Sequence, residues 1–159
     1  MEDSKPMDTS IQPNHGISVD VKGELTDPFT YRAIVGSLMY LTVSRPNIMF
    51  ATCLSARYQS KPKQSHLAAV KRILRYLKGC PSKGLWYPHD DNFDLIAFSD
   101  ADWGGCDKDS KSTTAGCQFM GSRLVTWQCK KQTAVALSTC EAEYVSASSC
   151  CSQVLWIQQ

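Results

Sequence analysis

No stretch of this chain is apolar for the roughly 18 residues that a bilayer-spanning helix requires, so no helical membrane span is expected. Histidine is scarce, and none of the three lies at zinc-ligand spacing from a cysteine. The eight cysteines include no Cys-x-x-Cys pair, which argues against a zinc module. Met1 is followed by Glu2 and Asp3 rather than by a basic and then an apolar segment, so no secretory signal is expected. The cysteines therefore read as free thiols of a reducing, intracellular compartment, cytoplasmic or nuclear, and not as a disulfide framework.

The most informative absence is of acid. Residues 28–89 contain ten Lys or Arg and no Asp or Glu, although the net charge of the whole chain is only +2. Residues 90–109 invert the pattern, with seven Asp and one Lys. Such segregation points to an anionic partner for the middle of the chain and a cation for the acidic segment, or else to a match between the two blocks.

The first 27 residues are polar, carry Pro6, Pro13 and Gly16, and show neither helical nor alternating periodicity, which predicts a loop or tail. Asp27-Pro28 marks a helix start: Asp caps, and Pro at the first helical position has no N–H to lose. Ile34, Val35, Leu38, Met39 and Leu41 form its apolar stripe, and Gly36-Ser37 leave room for a neighbouring backbone. Pro46 ends this helix near Arg45, and a second begins there, with Ser44 capping, and runs past Leu54 to Tyr58. A third helix is predicted over about 63–78, with Leu67, Val70, Ile73, Leu74 and Leu77 on one face and Gly79 as its stop. Lys71, Arg72, Arg75 and Lys78 lie largely off that face, either simply solvated or turned to phosphate.

Strands are predicted at Trp86-Tyr87, Leu95–Ser99, 113–120, 123–128 and 133–137. Gly121-Ser122 is a two-residue hairpin signal. Ser138-x-x-Glu141 fits a capping box that opens a helix running to the end of the chain, with Tyr144, Ala147, Cys151, Val154 and Leu155 available to pack. Asp100 and Asp102 follow the 95–99 strand, and Glu143 lies inside the last helix's first turn and a half. Strand-end carboxylates facing a helix carboxylate are how divalent metal sites for phosphodiester cleavage are built. By itself, Asp-x-Asp marks a solvated turn more often than a metal site, and Glu141 reads as a cap.

The text around these residues adds to the spacing. Ala97-Phe-Ser-Asp-Ala-Asp-Trp-Gly104, Lys111-Ser-Thr-Thr, Trp127-x-x-Lys-Lys-Gln132 and Val135-Ala-Leu-Ser-Thr-x-Glu-Ala-Glu-Tyr144 resemble the ribonuclease H domain of copia-type retrotransposon Pol polyproteins. Tyr31-Arg-x-Ile-Val-Gly-Ser-Leu-x-Tyr-Leu41, Arg45-Pro-Asn-Ile48 and Ala69-Val-Lys-Arg-Ile-Leu-Arg-Tyr-Leu-Lys-Gly79 resemble the segment connecting reverse transcriptase to that domain, and Met1–Asn14 the end of the reverse transcriptase.

The resemblance implies an α/β architecture. A flexible tail at 1–27 precedes a basic helical connection region at 28–80, followed at 81–159 by an incomplete ribonuclease H-like domain of three to four antiparallel strands plus a helix. It further implies Asp100 and Glu143 as catalytic and metal-binding residues, Asp102 as a supporting ligand, and Mg²⁺ as cofactor. An RNA/DNA hybrid or other nucleic acid, and the reverse transcriptase part of the polyprotein, are the implied partners; no membrane is. Thr113, Lys130 and Lys131 join Lys71, Arg72, Arg75 and Lys78 as expected nucleic-acid contacts. Nothing here resembles the family's polymerase motif, and no Asp or Glu follows Glu143, so the family's further metal-binding aspartate has no counterpart. The expectation is a Pol fragment whose ancestral activity is cleavage of RNA in hybrids and which is inactive as it stands. The alternative is a non-catalytic module that binds nucleic acid or docks on the reverse transcriptase.

Overall fold

The computed structural model describes residues 3–12, 17–89 and 91–159. Met1, Glu2, residues 13–16 and Asp90 lie outside the described residues, including Pro13 and Gly16 of the expected loop and one aspartate of the acidic block. The chain forms two compact units, Met1–Gly84 and Leu85–Gln159.

The first unit is helical: α1 (Pro28–Leu41), a 3-10 turn (Pro46–Ile48), α2 (Met49–Ala56) and α3 (Gln64–Gly79). Asp27 caps α1, its carboxylate accepting from the N–H groups of Phe29 and Thr30 at 3.1 and 2.9 Å. The chain leaves α1 at Leu41, and Pro46 opens the 3-10 turn, not a full helix; Ser44 does not cap it, its hydroxyl donating instead to the Leu41 carbonyl at the end of α1 at 3.3 Å. Tyr31, Val35, Leu38, Ile48, Ala51, Val70, Ile73 and Tyr76 form the core of this unit. Tyr31 is fully buried, and its hydroxyl donates to the Ser55 carbonyl at 2.8 Å. A Cβ at Gly36 would meet nothing within 4 Å, so the close approach expected there is absent.

The polar N-terminal segment differs from a free tail. Residues 3–12 and 17–26 contain no helix or strand, yet they lie along α3. Arg75 Nε donates to the Lys5 carbonyl at 2.7 Å, Lys78 Nζ to that of Ser4 at 2.9 Å, and Arg72 to Thr9 Oγ1 at 2.8 Å. The Met7 N–H donates to the Arg75 carbonyl, and Met7 and Ile11 pack on the core. Further along, His66 Nε2 bonds the Ser18 carbonyl at 2.7 Å, and Lys63 Nζ donates to that of Gly23 at 2.6 Å.

These contacts explain the missing acids. At least seven of the ten cations of residues 28–89 donate inside this unit: Arg32 to Gln59, Arg45 to Cys80 and Pro81, Lys63 to Gly23, Arg72, Arg75 and Lys78 to the N-terminal segment, and Lys83 to Tyr76. The acceptors in these bonds are carbonyl and hydroxyl oxygens and not carboxylates.

The second unit is a three-stranded antiparallel sheet in the order β1 (Leu95–Asp102), β2 (Thr113–Met120), β3 (Arg123–Lys131), followed by α4 (Thr139–Ile157). Gly121, at φ +59°, makes the β2–β3 turn, a conformation that costs glycine nothing. The pairing of Gln118 with Thr126 and of Phe119 with Leu124 leaves Val125 as the extra residue of a bulge. Trp86-Tyr87 and residues 133–137, both expected as strands, are irregular. Tyr87 instead donates its hydroxyl to the Leu124 carbonyl at 2.9 Å.

All eight cysteines are free thiols. Among the described residues no helix is long and apolar enough to cross a membrane.

Candidate functional site

β1 extends three residues beyond the expected strand, so Asp100 and Asp102 belong to the strand itself, opposite Ala115 and Thr113. The helix carrying Glu143 starts where its cap predicts: Ser138 Oγ accepts from the Glu141 N–H at 3.1 Å. Glu141 reaches back one residue further than in a capping box, accepting from the Leu137 N–H at 2.6 Å. Its carboxylate is thus engaged as a cap.

The face of α4 that meets the sheet is not the one expected. Ala142, Ser146 and Cys150 are buried, at i, i+4 and i+8, whereas Tyr144, Cys151 and Leu155 are exposed. Small residues at that spacing let the helix lie close enough for side chains to reach sheet backbone. Ser146 Oγ donates to the Asp100 carbonyl at 2.7 Å and faces that of Ala115 at 3.4 Å. Gln132, buried below the sheet end, donates to Thr114 Oγ1 and to the Ala142 carbonyl at 3.1 and 3.0 Å. Gln118, fully buried, faces Cys150 Sγ at 3.6 Å. This polar seam was missed by a search for large apolar residues; the signal available in the sequence was the small-residue period Ala142, Ser146, Cys150.

The seam brings the backbone of Asp100 next to α4 one turn after Glu143. The side chains diverge. Thr114, Gly116 and Gln118 and their β1 partners Ala101, Ser99 and Ala97 share the α4 side of the sheet. Alternation then puts Asp100 on the other side with Phe98, which contacts Phe119 edge-on at 6.0 Å. Both Asp100 and Glu143 are exposed. On the side away from β2, no other strand covers the edge of β1 among the described residues.

Alternation leaves Asp102 on the same side of β1 as Asp100, but its carboxylate folds away into the following turn. A Cβ added to Gly105 would overlap the Asp102 carboxylate, and Asp102 Oδ2 is buried without a hydrogen-bond partner. The side chain thus packs into the Gly104-Gly105 turn instead of projecting beside Asp100. Among the described residues no three His, Cys, Asp or Glu side chains group as a metal-holding cluster.

The expected nucleic-acid contacts also separate. Lys71 and Lys78 are exposed on α3, with Arg72 and Arg75 half-buried under the N-terminal segment. Lys130 is exposed. Lys131 is held by Asp109 at 2.7 Å, and this ammonium, with the Cys106 thiol, lowers the Asp109 carboxyl to about 2. Thr113 and Gln132, at 2% and 6% exposure, face inward and present no surface to a ligand.

No family model and no solved structure matches the chain. Among curated proteins it is 40% identical, over 97% of its length, to the retrovirus-related Pol polyprotein from transposon RE1 of Arabidopsis thaliana. It is 34% identical over its whole length to the Pol polyprotein from transposon TNT 1-94 of Nicotiana tabacum. A smaller relative, the secreted RxLR effector protein 161 of Plasmopara viticola, is 37% identical over 80% of the chain and 90% of its own length. The chain spans about a tenth of each Pol polyprotein it matches here, 10% and 12%. With the Phe98–Trp103 and Ser138–Tyr144 segments in place on strand and helix, and identity sustained from end to end, the chain belongs to the copia-type retrotransposon Pol polyproteins.

Proposed function

We propose that residues 85–159 are the leading part of a ribonuclease H-type domain and that the helical unit before it is the connection to a reverse transcriptase. In the larger polyprotein, Asp100 and Glu143 contribute carboxylates to a Mg²⁺ site that hydrolyses the RNA strand of an RNA/DNA hybrid. The observation that supports this reading is the bond from Ser146 to the Asp100 carbonyl, which fastens the Glu143 helix to the Asp100 strand. Bound Mg²⁺ supplies charge neutralisation and an activated water in such chemistry.

The described residues alone do not fit a two-ion site. Asp100 and Glu143 are two carboxylates on different sides of one strand, and Asp102 is directed into its own turn.

The test is a hybrid-cleavage assay in Mg²⁺ and Mn²⁺. The 159-residue polypeptide is expected to show no cleavage above background. A longer Pol polyprotein containing it is expected to cleave, and to lose that activity with Asp100→Asn or Glu143→Gln, which keep size and remove charge. Cleavage by the longer protein that survives both substitutions overturns the assignment. Cleavage by the short polypeptide that Asp100→Asn abolishes overturns the incompleteness.

A second reading is a non-catalytic module, and the acid-free run of residues 28–89 with Lys71 exposed on α3 favours it. It requires weak, sequence-independent binding to nucleic acid that falls steeply with salt. Binding to reverse transcriptase without salt-sensitive nucleic-acid binding marks a docking module instead.

A further inference from the structure

The three basic side chains that best fit a phosphate track on α3 are the three that hold the N-terminal segment. Arg72, Arg75 and Lys78 reach Thr9, Lys5 and Ser4 in turn, so the segment runs antiparallel to the helix across its basic face. We propose that residues 3–12 are a displaceable cover over this face, and that the cover and a nucleic-acid backbone compete for the same donors. The inference rests on the reading of α3 as a phosphate-facing surface.

The way the cover is attached makes it displaceable. It has no helix or strand of its own, and most of its side chains are exposed. Besides the bonds to the three cations, its anchors include Met7 and Ile11 on the core, the Met7 N–H on the Arg75 carbonyl, and a 3.3 Å bond from Ser10 Oγ to the Asn47 carbonyl. Its acceptors are neutral carbonyls and a hydroxyl, which a phosphate oxygen outmatches for a guanidinium or ammonium. The α3 side offers a separate handle: a Cβ at Gly79 would stand 3.1 Å from Pro6 Cβ and 3.5 Å from the Met7 carbonyl oxygen.

The full chain is titrated with a short labelled RNA/DNA duplex at several salt concentrations. Two kinds of variant loosen the cover without changing charge: Met7→Gly with Ile11→Gly, and Gly79→Leu from the helix side. Circular dichroism checks that the helices persist. A cover docked about nine-tenths of the time lowers apparent affinity about tenfold, so both variants are expected to bind about tenfold tighter. The salt slope is expected to stay the same, because the bound state is unchanged. Arg72→Ala, Arg75→Ala and Lys78→Ala together are expected to flatten the slope by about 2.7, at roughly 0.9 per phosphate contact. In the native chain, adding duplex is expected to speed hydrogen exchange at the Met7 amide.

Variants that bind no tighter, while the triple substitution still weakens binding, overturn the cover and leave the surface intact. A triple substitution without effect in any background overturns the surface, and the cover with it.

Discussion

Replacing Ser146 by Ala should destabilise the second unit by about 1–2 kcal/mol, a figure set by what the hydroxyl touches. Ser146 is fully buried between α4 and the sheet. Its 2.7 Å bond to the Asp100 carbonyl is well formed, while the 3.4 Å approach to Ala115 is near the limit at which a hydroxyl bond contributes. A net bond of this kind is worth about 0.5–1.5 kcal/mol, and a buried carbonyl losing a partner adds to the cost. Ala nearly matches Ser in volume, so no cavity penalty enters. The assay is urea unfolding followed by tryptophan fluorescence. All four tryptophans, Trp86, Trp103, Trp127 and Trp156, lie in the second unit, so the signal reports that unit alone. With a slope near ~1 kcal/mol/M for so small a unit, the midpoint should fall by about 1–2 M without a change in slope. Ser149→Ala is the control: its hydroxyl meets Gln128 at 3.4 Å, and the loss should be less than half as large. A Ser146→Ala shift below about 0.3 kcal/mol, smaller than a single net hydrogen bond, would refute the claim that this bond fastens helix to strand.

Tyr31→Phe should cost the first unit about 1 kcal/mol, because it deletes the buried bond to Ser55, and thermal unfolding followed by circular dichroism at the helix band measures it. Burial raises the Tyr31 phenol well above its ordinary value, so its contribution is whole below the unfolded value near 10 and is lost as pH rises above it; Tyr31→Phe should blunt that alkaline loss. Asp109 is the opposite case: lowered from 3.8 to about 2, it contributes above the unfolded value and loses that contribution as pH falls between the two, so Lys131→Met should remove the acid dependence of unfolding in this window. Gly105→Ala should destabilise the second unit by displacing the Asp102 carboxylate, and Asp102→Ala in the same chain should restore most of the loss; an additive pair of effects would show that the two do not collide.

Several features were legible because their causes lie within a few residues of each other. Asp27 caps helix α1 three residues away, Ser138 caps α4 at the same reach, and Gly121 turns a hairpin on its own backbone freedom. The period of Val70, Ile73 and Leu77 likewise needs only the geometry of one helix to face one core. The motifs around Asp100 and Glu143 identified the family from the text alone. What tertiary structure decided was which of the plausible surfaces each residue meets. The Ser146 bond spans 46 residues and the Arg75 bond 70, and no local rule states that the small residues Ala142, Ser146 and Cys150, not the larger apolar residues of α4, will lie on the sheet. The same holds for charge. Composition showed that the cations of residues 28–89 have no acids among them, but a carbonyl oxygen is a partner that every residue carries and no composition counts. Only the fold brings those carbonyls into reach, ties Lys131 to Asp109, and turns Asp102 into its glycine turn and away from Asp100.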